Sequence, residues 1–341
     1  MSYAIARSHG ANADQNKLSH EDRAIHDWYR FVLSFPPHLV RQYLQQFDLG
    51  PSQCLLDPFC GTGTTVVEAR RLGVASVGVE GNPLAHFAAE VKVDWDVDPS
   101  GLLEHASAVA EDAFGRLHDD GISDNGEAVD QLAALPLRTL HPEQEALLLK
   151  GSISPLPIHK CLVLLDCLRE HRDERFSRHE RLAFAKSVVS ASSNLHFGPE
   201  VGVGSPKPHA PVVRPWLSAV EAMATDLWWA PRDAPAARVV QGDARRLTEI
   251  DERSIDAVFC SPPYPNEKDY TRTTRLESVL LGFVSDKAGL RALKKGLLRS
   301  NTRGVYKGDV DDAWVGTHAE IQRLADEIEA RRIELGKTSG F

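Results

Sequence analysis

Apolar residues recur along this chain with two different periods. Four short runs, Cys54-Leu55-Leu56, residues 75–79 (ASVGV), 238–240 (RVV) and 255–260 (IDAVFC), have the length and β-branched content of strands buried in a parallel sheet. Elsewhere the apolar positions follow helical spacing. Helices are expected over residues 21–30, 39–47, 66–72, 84–91, 102–114, 142–150, 159–171, 180–193, 216–229, 245–250, 272–283, 290–298 and 318–335. Pro36-Pro37 and Asn82-Pro83 stand where a helix opens, since proline suits a first turn and asparagine caps one. The order is βαβα over the first ninety residues, then a long helical stretch, then the two remaining strands.

That order divides the chain into a tail and helix (1–30), a first α/β half (31–95), a mostly helical insertion (96–236), a second half (237–283) and terminal helices (284–341). Within the insertion, residues 117–130 read as an acidic surface loop, and residues 196–215 as a long irregular loop rich in Gly and Pro. There is no internal repeat.

Composition narrows the classes. Hydrophobic residues make up 42 % of 341, enough for a real core in one large or two modest domains. No apolar run approaches the ~20 residues of a membrane span, and the polar N-terminus has no signal-peptide centre. The five cysteines are scattered and no Cys/His cluster has zinc spacing, so reduced thiols in a cytoplasmic protein without a metal are expected. A net charge of −9 disfavours tight non-specific binding to nucleic acid, although a local basic face is compatible with it.

Chemistry concentrates at strand exits. Residues 57–65, DPFCGTGTT, follow the first strand and open a helix, an arrangement that offers backbone N–H groups and a helix N-terminus to an anionic ligand. Gly61 and Gly63 permit positive φ and close backbone approach. Glu80 ends the second strand, where a carboxylate can take both hydroxyls of a ribose; otherwise it is a solvated turn residue. Asp243 ends the third strand, placed to accept from an adenine amino group, to cap residues 245–250, or both. Ser261-Pro262-Pro263-Tyr264 leaves the fourth. Its two prolines remove two donors, so the Ser261 hydroxyl and Pro262 carbonyl remain as acceptors for an exocyclic amine, and Tyr264 offers a flat face for a flipped-out base.

Together these segments resemble the S-adenosylmethionine-dependent amino-methyltransferases, which methylate exocyclic amines of bases. Residues 31–95 and 236–283 carry the resemblance. It implies a Rossmann-like α/β methyltransferase sheet with S-adenosyl-L-methionine as cofactor. It assigns cofactor contacts to Phe35, Asp57, Pro58, Phe59, Gly61, Thr62, Gly63, Thr64, Thr65, Glu80, Asn82 and Asp243, with Asp57 helping to hold the cationic end. It makes Ser261, Pro262, Pro263 and Tyr264 the catalytic tetrapeptide. In that family a serine at the first catalytic position goes mostly with cytosine N4, and Asp or Asn with adenine N6 or guanine N2. DNA is therefore the expected substrate, in a restriction-modification setting. Methylation of RNA guanine N2, a non-catalytic remnant and an NAD-dependent oxidoreductase are the alternatives, the last weakened because GTGTT is not GxGxxG.

Nucleic-acid contacts are expected at Lys207 and Arg214 in the insertion, with Arg172, Arg175 and Arg178 as further candidates against a solvated-face reading. Behind the catalytic turn, Asn266, Asp269, Tyr270, Arg272 and Arg275 are candidates for a base pocket. Arg291, Lys294, Lys295, Arg299 and Arg303 form a basic run, a candidate strip of phosphate contacts against the commoner reading of a solvated helix face, with Lys294, Lys295 and Arg272 counted among the nucleic-acid candidates. Only four strands are recognisable where the family's sheet has seven, so a split enzyme completed by a second polypeptide is a further expectation.

Overall fold

The computed structural model of the chain describes residues 18–31, 34–125, 136–198, 200–264, 269–298 and 311–337. Six strands occur among them: β1 (Cys54–Asp57), β2 (Ala75–Glu80), β3 (Leu195–Phe197), β4 (Val201–Val203), β5 (Ala237–Gln241) and β6 (Ala257–Val258). The helices are α1 (Pro37–Gln46), α2 (Thr64–Arg71), α3 (Pro83–Lys92), α4 (Pro99–Asp119), α5 (Pro142–Glu145), α6 (Pro155–Glu170), α7 (Ser177–Ser187), α8 (Val213–Trp229), α9 (Tyr270–Thr273), α10 (Arg275–Leu280), α11 (Lys287–Gly296) and α12 (Ala319–Glu334). The chain falls into two units, Met1–Pro262 with Tyr270–Leu297, and Pro263–Asp269 with Leu298–Phe341.

The first unit is built on a parallel sheet in the order β5-β2-β1-β6. All four expected strands form, and the α/β, Rossmann-like reading holds. Register places Ala257, Leu55, Ser76 and Ala237 in one row across the sheet, and Val258, Leu56, Val77 and Arg238 in the next. Side chains alternate between faces, so these rows point to opposite sides. On the first side Leu55 packs with Val40 and Leu44 of α1, Ala69 of α2 and Val74. On the second side Leu56 is 5 % exposed, but Val258, on the edge strand, is 52 % exposed.

The insertion shares one core with the α/β half. Val66 and Val67 of α2 and Leu84, Phe87 and Val91 of α3 join Leu102 and Val109 of α4, Leu164 of α6, Phe184 of α7 and Trp216 and Val220 of α8. The N-terminal segment is tied to the same body. Asp226 of α8 accepts hydrogen bonds from the Ile25 amide and the Trp28 indole, both at 2.8 Å. Glu68 of α2 receives His26 at 2.7 Å and Arg41 at 2.8 Å. Burial holds the His26 imidazole down at about 4, so this contact is that of a neutral ring with a carboxylate.

Several helices depart from expectation, each for a local reason. Residues 21–30 form only the 3₁₀ turn His26–Trp28, because Ile25 sits at φ 65° and breaks the helical path. No helix forms over 245–250: Leu247 at φ 48° is left-handed, and the chain turns. Residues 142–150 hold only α5. The helix expected to reach residue 193 ends as α7 at Ser187 and widens into the π turn Val188–Ser192. Residues 272–283 divide into α9 and α10.

The irregular loop also contains order, because β3 and β4 pair as an antiparallel hairpin. Buried Asn194 holds its base: Nδ2 donates to the Gly151 carbonyl (2.9 Å), while its oxygens accept from the Gly204 (2.6 Å) and Lys207 (2.7 Å) amides. The expected tail over residues 1–17, the end of the acidic loop from residue 126, and Asn266, Arg299 and Arg303 lie outside the described residues.

Candidate active site

In a parallel sheet every strand delivers its exit to the same edge, which is where ligands of open α/β folds bind. Here that edge receives the DPFCGTGTT loop from β1, Glu80 from β2, Gln241-Gly242-Asp243 from β5, and Ser261 from β6. β1 and β6 are neighbours, with Leu56 level with Val258, and the Phe259 amide donates to the Leu56 carbonyl at 3.0 Å. The glycine loop and the Ser261 turn therefore leave adjacent strands. The order reverses between them: from β1 the chain moves to β2 and β5 on one side, then returns to β6 on the other.

The loop is shaped from inside. Asp57 is fully buried; one carboxylate oxygen accepts from the Thr65 hydroxyl at 2.5 Å and the other from the Phe59 amide at 3.0 Å. Burial raises it to about 6 despite those bonds. Asp57 thus acts on the loop's shape, with both oxygens turned to the protein. The Cys60 amide donates to the Val79 carbonyl at 3.1 Å, strapping the loop to β2. Gly63 is left-handed at φ 87°, and a Cβ there would lie 3.0 Å from the Ala89 Cβ of α3. Gly61, at φ 53°, has no atom within 4 Å of its Cβ position and leaves the loop open there.

Glu80 joins the loop to the β2 exit. Its two oxygens accept from the Gly61 amide (2.9 Å) and the Asn82 amide (2.7 Å). Burial raises Glu80 to about 7, opposed by those two backbone bonds. A carboxylate has about four lone-pair sites, so two remain for a ligand. The Asn82 side-chain oxygen caps α3 through the Leu84 (3.0 Å) and Ala85 (3.4 Å) amides. Its Nδ2, and the Thr62 hydroxyl in the loop, are buried without a hydrogen-bond partner among the described residues. Unmatched buried polar atoms are costly, and these two, one in the glycine loop and one past the β2 exit, fit a polar ligand that completes them. Asp243 is half-buried and holds the Arg245 guanidinium in a two-point contact at 2.8 Å. That pair lowers its carboxyl below the usual range. Phe35 packs edge-on against Phe259 at 5.5 Å, fixing the N-terminal segment beside the β6 exit.

Residues 10–90 match the N6_N4_Mtase family model, described as DNA methylase; the match spans β1, the loop, β2 and most of α3. The Type II methyltransferase M.BsoBI of Geobacillus stearothermophilus is 26 % identical over 334 residues, covering 90 % of this chain and 63 % of that protein. These two matches support a likeness to the amino-methyltransferases. The Type II methyltransferase M.MjaII of Methanocaldococcus jannaschii is 34 % identical over 79 residues, 22 % of this chain and 14 % of that protein. M.AvaI, a Type II methyltransferase of Nostoc sp., is 22 % identical over 269 residues, 75 % of this chain and 53 % of its own length. The chain spans less than two thirds of the length of each of these relatives. No solved structure matches. Nothing in these comparisons supports a second polypeptide.

The remaining expected residues separate. Ser261 is half-buried and Pro262 exposed, both in the first unit; Pro263 and Tyr264 belong to the second. Arg272 of α9 is half-buried, and its Nε is without a partner among the described residues. Arg275 bonds the Thr271 carbonyl (3.0 Å) and the Leu147 carbonyl (3.3 Å), and Glu277 accepts from the Tyr29 hydroxyl, so this pair holds packing together. In the insertion, Arg172 pairs with Glu174, Arg175 with Asp173 and Arg178 with Glu90, the pattern of a solvated charged face. Exposed Lys207 donates to the Ala191 carbonyl at 3.4 Å, and Arg214 lies over the Phe114 ring at 5.9 Å. No helix of the described residues is long and apolar enough to cross a membrane, and no His/Cys/Asp/Glu group among them has the arrangement of a metal site.

Sequence reasoning missed Gly78. It lies within β2, and a Cβ there would stand 2.8 Å from the Cys60 sulfur and 3.0 Å from a Val66 methyl. Gly78 is what lets the loop lie flat on β2. Gly78→Ala is expected to cost about 1–3 kcal/mol by overpacking, read as a lowered Tm with weakened cofactor binding. An unchanged Tm and affinity would show that the loop yields freely.

Proposed function

We propose that this chain carries the cofactor-binding and catalytic core of a DNA methyltransferase that transfers a methyl group from S-adenosyl-L-methionine to an exocyclic amine, with cytosine N4 as the target. One observation carries this reading: the glycine loop and Ser261 leave neighbouring parallel strands at the edge where Glu80 and Asp243 also stand. The unmatched Thr62 hydroxyl and Asn82 amide, and the remaining lone pairs of Glu80, suit the polar groups of the cofactor.

S-Adenosylmethionine, when bound, supplies a methyl carbon already activated by the sulfonium. The chain's task is position. The Ser261 hydroxyl and Pro262 carbonyl accept the two hydrogens of the amine, which turns its lone pair towards the methyl group. Tyr264, by its place in the motif, gives a flipped-out base a stacking face. Loss of bulk water and correct alignment account for most of the acceleration. The serine, where related enzymes of adenine carry Asp or Asn, favours cytosine N4 over adenine N6.

The test uses the full chain, methyl-labelled S-adenosylmethionine, and DNA or RNA as acceptor, followed by nucleoside chromatography. Label in N4-methylcytosine is expected. Label in N6-methyladenine would move the base assignment, label in a methylated guanosine would move the substrate to RNA, and binding without transfer to either polymer would leave a cofactor-binding module.

A further inference from the structure

One N-terminal stretch holds the chain on both sides of the Ser261 turn. The chain leaves the first unit after Pro262 and re-enters it at Tyr270, where α9 and then α10 begin. Before the turn, Phe259 packs against Phe35 at 5.5 Å and against Tyr43 of α1 at 5.3 Å. After it, Glu277 of α10 accepts a hydrogen bond from the Tyr29 hydroxyl. Tyr29 and Phe35 belong to the same short stretch, so one segment anchors both the departing and the returning end.

That segment is itself fixed. Asp226 of α8 takes the Ile25 amide and the Trp28 indole, and Lys186 of α7 donates to the Asp27 carbonyl. Buried Lys92 of α3 donates to the Tyr29 carbonyl at 3.2 Å. Three helices thus set the backbone at Tyr29, and its hydroxyl carries that placement to α10.

The bond is a costly way to pack a helix. Tyr29 is 5 % exposed and Glu277 is 1 % exposed. The second carboxyl oxygen of Glu277 is buried without a partner among the described residues, and burial raises the group to about 7. A leucine would fill much of the same space without burying a carboxyl that is bonded on one side alone. What a leucine cannot do is take a directional bond from a fixed hydroxyl. Direction is what alignment of two reacting groups needs, since a misplacement of about 1 Å can cost about 10²-fold in rate.

We propose that Tyr29 and Glu277 are positioning residues for methyl transfer: their bond sets α10, and with it the returning end of the Ser261 turn, against the same segment that supports the departing end through Phe35 and Phe259. Neither residue touches the substrate. The inference rests on the reading of Ser261 as the group that holds the amine.

Single-turnover transfer of labelled methyl from S-adenosylmethionine to amplified genomic DNA, which carries no methylated bases, tests it on the full chain. Rates are counted per site that binds S-adenosylhomocysteine, and Tm is measured beside them. Tyr29→Phe is expected to slow transfer about 10-fold and to leave the dissociation constant for S-adenosylhomocysteine within about twofold. Glu277→Gln keeps an oxygen for the Tyr29 hydroxyl and is expected to transfer within about twofold of the wild type. The double variant Tyr29→Phe, Glu277→Leu removes both polar partners, so its Tm is expected to rise above that of Tyr29→Phe while its rate stays about 10-fold down. A wild-type rate per site in Tyr29→Phe, a rate that recovers with Tm in the double variant, or a loss in Glu277→Gln as large as that in Tyr29→Phe overturns the proposal. So does a Tyr29→Phe chain that no longer folds, which would make the bond a support of the whole core. Where the double variant does not fold, Tyr29→Phe against Glu277→Gln decides. Ser261→Ala separates the pair from the reading beneath. A wild-type rate in that variant, or no transfer by the wild type, removes the reading and the pair's role with it. Slow transfer there beside an unaffected Tyr29→Phe removes the pair alone.

Discussion

Replacing Ser261 with alanine is expected to slow methyl transfer by about 10²–10³-fold, the size usual for losing one hydrogen bond aimed at a reacting group. The dissociation constant for S-adenosylmethionine is expected to stay within about twofold. The two effects separate because the residues that would hold the cofactor lie on the β1 loop and the β2 and β5 exits, whereas Ser261 follows β6. Ser261 is also half-buried, outside the hydrogen bonds that shape the glycine loop, so its loss opens no core cavity. Single-turnover transfer of labelled methyl to DNA, with cofactor affinity measured beside it, reads both quantities. Equal losses in rate and affinity would mean that Ser261 supports the site as a whole, and an unchanged rate would remove it from the amine's surroundings. Ser261→Asp gives a second readout. A carboxylate accepts more strongly and changes the shape of the pocket, so residual activity shifted towards adenine N6 would support the serine as the determinant of base choice.

The parts of this site that were legible in the sequence are those where one short segment does the work. DPFCGTGTT announces itself because strand, turn and helix are contiguous, and the left-handed Gly61 and Gly63 need no distant partner. Glu80 and Asp243 were readable as strand ends, and the sheet order sets β2 beside β5, with Glu80 level with Gln241. What remained hidden depends on partners far along the chain. That Asp57 turns both oxygens inward follows from Thr65 and Phe59, whose geometry only the folded loop sets. The constraint on Gly78 comes from Cys60 and Val66, and the place of Leu297 from Gly81 more than two hundred residues earlier. Helix ends were misjudged where a non-glycine residue adopts positive φ, as at Ile25 and Leu247, since composition carries no sign of it. The hairpin of β3 and β4 escaped notice because its strands are three residues each and its order comes from Asn194 at the base. The insertion looked like a separate piece because its helices are contiguous in sequence, yet Val66, Phe87 and Trp216 lie in one core.

Cofactor affinity is expected to rise with pH across neutrality and to lose that dependence when Glu80 is replaced. In the ligand-free protein burial raises this carboxyl to about 7, so near pH 6 most molecules carry a proton there. Ribose hydroxyls donate to the ionised carboxylate, so the ligand binds that form and lowers the pKa of the group; binding then releases a proton. By linkage, affinity falls by up to about tenfold for each pH unit below 7 and levels off above it. Glu80→Gln is expected to weaken S-adenosylmethionine by about 10–100-fold and to flatten the profile. Glutamine is a poor substitute for a specific reason. Glu80 receives two backbone donors, the Gly61 and Asn82 amides, one on each oxygen. A carboxamide has a single oxygen, so its NH₂ group must face one of those amides, and the loop and the β2 exit can no longer both be held. Calorimetry from pH 5.5 to 8.5 in buffers of differing ionisation enthalpy counts the released proton directly. A proton count near zero around pH 6.5, or a Glu80→Gln profile that keeps the slope of the wild type, would place the titrating group elsewhere, with Asp57 at about 6 the next buried carboxyl to replace.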